Sequence, residues 1–125
     1  MLRACKRVLR KGGRTAFFTA HVTPGLSKRD QRRAVRAGPR AVASRRDHSS
    51  LLRAAGFIEI EELGVTDEFL ATAERWLRFS RQHERELRAL QGAPAFDEQQ
   101  LDREAILGAI REGLLSRSLF VATRP

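Results

Sequence analysis

The chain has 125 residues, 42% of them hydrophobic, which is near the globular average and enough for one domain with a core. It carries 24 Lys and Arg against 15 Asp and Glu, and its one cysteine, Cys5, excludes an internal disulfide and a thiolate metal cage. No apolar run approaches the roughly 18 residues that a membrane span needs, so we expect a cytoplasmic protein with no membrane partner.

The positive charge is concentrated in the first third of the chain. Residues 1–46 contain 14 of the basic residues and a single acid, Asp30, whereas residues 47–125 are net negative. A basic arm of this kind can neutralise phosphates, but a general preference for arginine and alanine produces the same excess. No reading helix or basic-aromatic interleaving is evident, so nucleic acid is the weakest of the partner classes.

The first predicted elements are a helix and a strand within residues 1–22. Apolar residues repeat at helical spacing from Leu2 to Leu9, and the glycine pair Gly12-Gly13 ends that helix. Residues 15–20 are then apolar on both faces, which is typical of a central strand in a sheet covered on both sides.

A basic segment follows over residues 23–46. Ser27 and Asp30 form a capping-box pattern that predicts a helix over residues 28–37. The segment is either a lid over an active site, rich in arginine for an anionic substrate, or a solvated loop.

The remaining elements are a helix and strand within 47–66, a helical insertion over 67–113 and a final strand within 114–125. Asp47 caps the first of these helices. The insertion predicts two helices: a long one from Asp67 to about Leu90, and a second one capped near Asp97. Helices alternating with strands predict an α/β fold, here with only three strands.

Three stretches resemble class I S-adenosylmethionine-dependent methyltransferases. "LRACKRVLRKGGRTAFFTAH" is similar to the helix and fifth strand of that family, "LLRAAGFIEIEELGVTDEF" to the next helix and the sixth strand, and "GLLSRSLFVATRP" to the seventh strand. The resemblance implies a partial Rossmann-like sheet of three mixed strands in a single partial domain, residues 1–125. It also implies that the last strand is antiparallel and inserts between the other two.

The resemblance covers only the C-terminal, substrate-side half of such an enzyme. In the family, a glycine-rich loop after the first strand approaches the cofactor, and nothing in this chain matches G-x-G-x-G. Lys11 also stands where the family usually has proline. We therefore expect S-adenosylmethionine to be the cofactor of the intact family, and we expect this chain alone to bind none and to be inactive.

The resemblance places helices between the sixth and seventh strands over the substrate. On the inserted helix, Phe69, Trp76, Phe79 and His83 are therefore either an aromatic substrate wall or plain core. His21, at the carboxyl end of the first strand, either faces substrate or accepts a proton, or is a strand-terminal histidine with no such role. No catalytic residue or metal ligand can be assigned.

Three functions of different classes follow, and the weakest is a small basic nucleic-acid-binding protein that uses residues 1–46. The chain is the substrate-side portion of a small-molecule methyltransferase, completed by a missing N-terminal half. Alternatively, it is a non-catalytic assembly protein that pairs with itself through the strand edge at residues 15–20.

Overall fold

The computed structural model describes residues 1–39 and 47–125, so the end of the predicted lid, residues 40–46, lies outside the described residues. Within those ranges the chain is α/β. In chain order the elements are α1 (Leu2–Val8), β1 (Arg14–Val22), α2 (Lys28–Ala37), α3 (His48–Ala54), β2 (Ile58–Gly64), α4 (Thr66–Gln82), α5 (Glu84–Gln91), α6 (Ala93–Arg111) and β3 (Leu115–Thr123).

The three strands form one sheet in the order β1-β3-β2. β3 runs antiparallel to both neighbours, pairing Thr123 with Arg14 at one end and Leu115 with Val22 at the other. β1 and β2 are therefore parallel to each other, and the predicted insertion of the last strand between them is confirmed. The register of β2 shifts between Ile58 and Glu61, around Glu59, whose φ is +51°.

Helices cover both faces of the sheet and form two separate cores. On one face α2, α4 and α6 pack over β3, and the buried residues are Ala34, Phe69, Ala73, Leu77, Leu107, Ala109, Ile110, Leu114 and Leu115. On the other face the buried residues are Leu52, Phe57, Phe120 and Ala122, with Leu2 and Leu9 packed against them. Directly paired residues of neighbouring strands share a face, which places Phe17 beside Phe120 in this second core.

β1 is an edge strand among the described residues, with β3 as its one neighbour. Its apolar composition predicts a neighbour on each side, and the second neighbour is not part of this sheet. On β1, Phe18 is 55% exposed. One edge of a strand with a central-strand composition, together with the Phe18 side chain, is thus uncovered among the described residues.

The predicted helix caps are confirmed. The Ser27 side chain accepts a hydrogen bond from the Asp30 amide at 3.1 Å, and the Asp47 carboxylate accepts one from the Ser50 amide at 2.8 Å. Helix α1 ends earlier than predicted, at Val8, and Gly12 with φ of +75° makes the turn into β1.

The prediction of two helices in the insertion is wrong, because the insertion contains three. His83 has φ of −111° and ψ of 24°, which breaks the long predicted helix into α4 and α5. Helix α6 begins at Ala93, with Pro94 in its first turn, rather than near Asp97. Asp97 lies inside α6 and accepts a hydrogen bond from Arg88 at 2.7 Å instead of capping the helix.

Candidate functional site

A cavity of about 450 Å³ lies between the sheet and the helices of the insertion. Its floor comes from β1 and β3, and its walls come from α4 and α6. The lining residues are Phe18, Thr19, Ala20, Pro39, Phe69, Ala73, Trp76, Phe79, Ser80, Arg103, Ile106 and Arg117. A volume of this size is typical of small-molecule sites, which lie within roughly 300–1,000 Å³.

Helical and strand periodicity bring these residues together. Alternation along β1 turns Phe18 and Ala20 toward the face that α4 covers. On α4, Phe69, Ala73 and Trp76 are spaced by four and three residues and lie along one stripe. The cavity therefore lies on the same face of the sheet as the first core, next to the half of β1 that leads toward α2.

The aromatic residues of the cavity divide into buried and open ones. Phe69 is 7% exposed and belongs to the core, whereas Trp76 and Phe79 are 54% and 57% exposed. Large apolar side chains grouped at an exposed surface mark binding sites more often than chance. Phe69 is thus a core residue that also lines the cavity, while Trp76 and Phe79 are not core residues.

Two arginines give the cavity a positive charge. The Arg117 guanidinium carbon lies 4.6 Å from the centre of the Phe18 ring and 5.3 Å from that of Phe69, so it makes cation–π contacts with both rings. Arg103 donates a hydrogen bond to the Ser80 hydroxyl, and that hydroxyl donates to the Trp76 carbonyl at 2.8 Å. No acidic residue is among the cavity lining given above.

Two of the five predicted substrate residues do not line the cavity. His83 lies at the break between α4 and α5, with its ring centre 4.4 Å from that of Phe79 and its Nδ1 3.4 Å from a Glu86 carboxylate oxygen. His21 alternates with Ala20 and faces the other side of β1. The roles of all five residues as substrate contacts stay predictions.

A polar cluster lies on the other face of β1, around His48. The Thr19 hydroxyl is 3.3 Å from His48 Nε2, and the His48 ring centre is 5.5 Å from that of Phe120. Burial lowers the pKa of His48, and the nearby His21 lowers it further. Because Thr19 also borders the cavity, it is the residue that joins this cluster to the cavity.

Arg103, Arg117 and His48 were not predicted from the sequence as site residues. A signal for Arg117 existed, because it alternates with the apolar Leu115 and Leu119 along β3. A charged side chain on a core-facing stripe needs a compensating environment, which makes it a site candidate. His48 offered no comparable signal, since its proximity to Thr19 depends on how α3 packs.

The residues present do not fit the cofactor that the resemblance implies. Backbone amides of a glycine-rich turn would have to be open to a ligand. The Gly12 amide donates to the Arg124 carbonyl at 2.8 Å, and the Gly13 amide donates to the Arg10 carbonyl at 2.9 Å. Within residues 1–39 and 47–125, no group of three His, Cys, Asp or Glu side chains is placed to hold a metal.

Similarity of this chain to known proteins is found in its structure and not in its sequence. No protein-family model matches the sequence, and no curated protein matches it. A phosphoethanolamine N-methyltransferase of Haemonchus contortus, in complex with phosphomonomethylethanolamine and S-adenosylhomocysteine, superposes with a TM-score of 0.76 at 20% identity. A cyclopropane synthase of Mycobacterium tuberculosis gives 0.72 at 12% identity, and the cyclase SpnF gives 0.67 at 19%.

These superpositions use nearly the whole of this chain and a minority of each neighbour. They cover 99%, 98% and 99% of the chain, but only 29%, 48% and 43% of the respective neighbours. The chain thus spans less than half the length of these solved structures. Among the parts of the chain that are described, no helix is long and apolar enough to cross a membrane. The described residues adopt part of the fold of the S-adenosylmethionine-dependent methyltransferases.

Proposed function

We propose that this chain is the substrate-side portion of an S-adenosylmethionine-dependent small-molecule methyltransferase, and that it is inactive alone. A cofactor-binding half, on the same polypeptide or on a partner chain, completes the sheet along the free edge of β1. The observation that carries this proposal is the strand order β1-β3-β2, with antiparallel β3 between two parallel strands. The similarity of the methyltransferase structures supports it.

The uncovered parts of β1 support the position of the missing half. β1 has nine residues with an apolar composition, and its unpaired edge offers a row of backbone groups to another strand. Residues 15–20 lie within this edge. A partner strand there would cover the edge and complete the sheet that the composition of β1 predicts.

In this proposal the chain's own residues bind and orient the methyl acceptor. The aromatic side chains of Phe18, Trp76 and Phe79 hold the apolar part of the substrate and exclude water from it. Holding a reactant in one orientation is a large part of the catalytic effect when two substrates must meet. The cofactor contacts belong to the other half, because the amides of the Gly12-Gly13 turn are already hydrogen-bonded to Arg124 and Arg10.

The first experiment is a calorimetric titration of the 125-residue protein with S-adenosylmethionine and with S-adenosylhomocysteine. We expect no saturable heat for either ligand, since nothing in the sequence matches G-x-G-x-G and the amides of the Gly12-Gly13 turn are already hydrogen-bonded. Saturable binding at micromolar concentration would contradict inactivity of the isolated chain. It would then mean that the protein, or an assembly of it, forms a complete cofactor site.

A second experiment tests the methyltransferase role itself. The proposal predicts that the missing half, on a longer polypeptide that contains this chain or on a partner chain, has a G-x-G-x-G loop directly after a strand. Purified together with that half, the chain should bind S-adenosylhomocysteine with 1:1 stoichiometry. A complex that forms but binds none of it would refute the proposed function.

One observation favours assembly as a second function: the same free edge can pair with the edge of another copy. This idea predicts a dimer whose population rises with concentration in sedimentation velocity. Ala16→Lys, on the exposed part of the edge, should shift the protein toward monomer, whereas Leu101→Lys on the exposed side of α6 should not. A monomer at all concentrations would exclude self-pairing.

A further inference from the structure

We infer that the cavity takes a small molecule with an apolar body and an oxyanion head group, a carboxylate or a phosphate, which Arg117 and Arg103 bind. The inference deepens the proposed function, on which it rests, by naming the substrate class. It is carried by the two arginines that line one cavity together with aromatic side chains and without any carboxylate.

Arg117 is held in place by packing rather than by an ion pair. Its guanidinium carbon lies over the rings of Phe18 and Phe69, at 4.6 and 5.3 Å from their centres. These cation–π contacts hold the group without neutralising its charge, so it can still bind an anion. Among the described residues no carboxylate lies within ion-pair distance of Arg117, and all 15 acidic residues of the chain are described.

Arg103 is oriented by a neutral partner. Its Nη1 donates to the Ser80 hydroxyl, and Ser80 is 1% exposed and itself hydrogen-bonded to the Trp76 carbonyl. Other arginines of the same region are neutralised: Arg81 lies 3.3 Å from Glu104, and Arg111 lies 3.1 Å from Glu74. The cavity thus carries two guanidinium groups, Arg103 and Arg117, that no carboxylate of the described residues neutralises.

The chemistry of the lining specifies the ligand. Two guanidinium groups line one cavity, and an oxyanion bound there would accept charge-assisted hydrogen bonds from them. Arginine matches the planar two-oxygen edge of carboxylate and phosphate groups. The ligand needs an apolar body because three aromatic side chains of the cavity are each more than half exposed and would pack against it: Phe18, Trp76 and Phe79.

Trp76 provides a direct measurement of binding. It is the one tryptophan of the chain, there is no tyrosine, and it lines the cavity, so the emission reports on this site. We would titrate the 125-residue protein with 3-phenylpropanoate, phenyl phosphate and the uncharged 3-phenylpropanamide. We expect at least one of the two anions to bind about tenfold or more tightly than the amide, as charged hydrogen bonds imply.

Variants assign the effect to the two arginines. Arg117→Gln and Arg103→Gln should each weaken anion binding about tenfold and leave the amide unchanged. Arg111→Gln, also on α6 but outside the cavity, is the matched control and should bind like the original. If Arg117→Gln loses its near-ultraviolet circular dichroism, and with it its tertiary structure, Arg117→Lys is measured instead. Lysine keeps the positive charge but lacks the planar guanidinium that binds two oxygens at once.

The outcomes separate this inference from the proposed function. Preference for the carboxylate or for the phosphate identifies which oxyanion the site takes. Three results would overturn the inference: equal binding of anion and amide, no binding of any ligand at millimolar concentration, or anion binding that neither Gln variant weakens. None of these results bears on S-adenosylhomocysteine binding by the completed protein, which tests the proposed function independently.

Discussion

Replacing Leu115 by alanine tests whether the first core, formed by α2, α4 and α6 on the sheet, depends on β3. Leu115 is fully buried at the start of β3, paired with Val22 and packed in the core with α4 and α6. The change removes three carbon atoms, which at about 0.8 kcal/mol each is about 2.4 kcal/mol of lost transfer free energy. The cavity left behind adds to this, so we expect a loss of about 3–4 kcal/mol in the free energy of unfolding.

The assay is urea unfolding followed by Trp76 fluorescence and by far-ultraviolet circular dichroism. Coincident curves with an unchanged slope would show that stability, rather than compactness, has changed. Leu101→Ala on α6 is the control, because Leu101 is 67% exposed, and it should change the free energy by less than about 0.5 kcal/mol. If Leu115→Ala leaves too little folded protein, Leu115→Val should show a loss of about 1 kcal/mol.

A loss below about 1 kcal/mol for Leu115→Ala, or one equal to that of Leu101→Ala, would refute the reasoning. Such a result would mean that Leu115 is not closely packed in solution. The α4–α6 layer would then not rest on β3, and the cavity between sheet and insertion would lose its structural basis.

Two further predictions concern backbone conformation and pH. Gly113 ends α6 with φ of +74° and has open space around it, so Gly113→Ala should cost about 1–2 kcal/mol of conformational energy in urea unfolding. Gly108→Ala, inside α6 and equally uncrowded, should have the opposite sign and stabilise by about 0.5–1 kcal/mol. Because folding lowers the pKa of His48, its stabilising contribution is present above the unfolded value of about 6.5 and is lost as pH falls below it. His48→Gln should therefore lose less stability than the original between pH 7.5 and pH 5.5, and an identical pH dependence of the two proteins would contradict the assignment.

The candidate site was only partly predictable, and the missing part has a physical cause. Phe69, Trp76 and Phe79 could be found because helical spacing places them on neighbouring parts of one helix, and the structure brings all three to the cavity. Arg103 and Arg117 lie on different elements, and only the packing of α6 on the sheet brings them to one cavity. His21 and His83 had suitable chemistry at suitable places in the chain, yet strand alternation and the helix break direct them elsewhere.

The sequence by itself determined the local elements, because caps and periodicity act over a few residues. The bounds of α2, the caps at Ser27 and Asp47 and the order of strands and helices all follow from such short-range patterns. The split of the long helix at His83 did not follow, since an apolar stripe continues across it and the turn depends on how α5 packs on α6. Only tertiary structure decided that Phe17 packs in a core while Phe18 lines the cavity, that the Arg117 guanidinium lies over two aromatic rings, and that β1 is left with an open edge. Each of these depends on contacts between residues far apart in the chain, which local propensity does not encode.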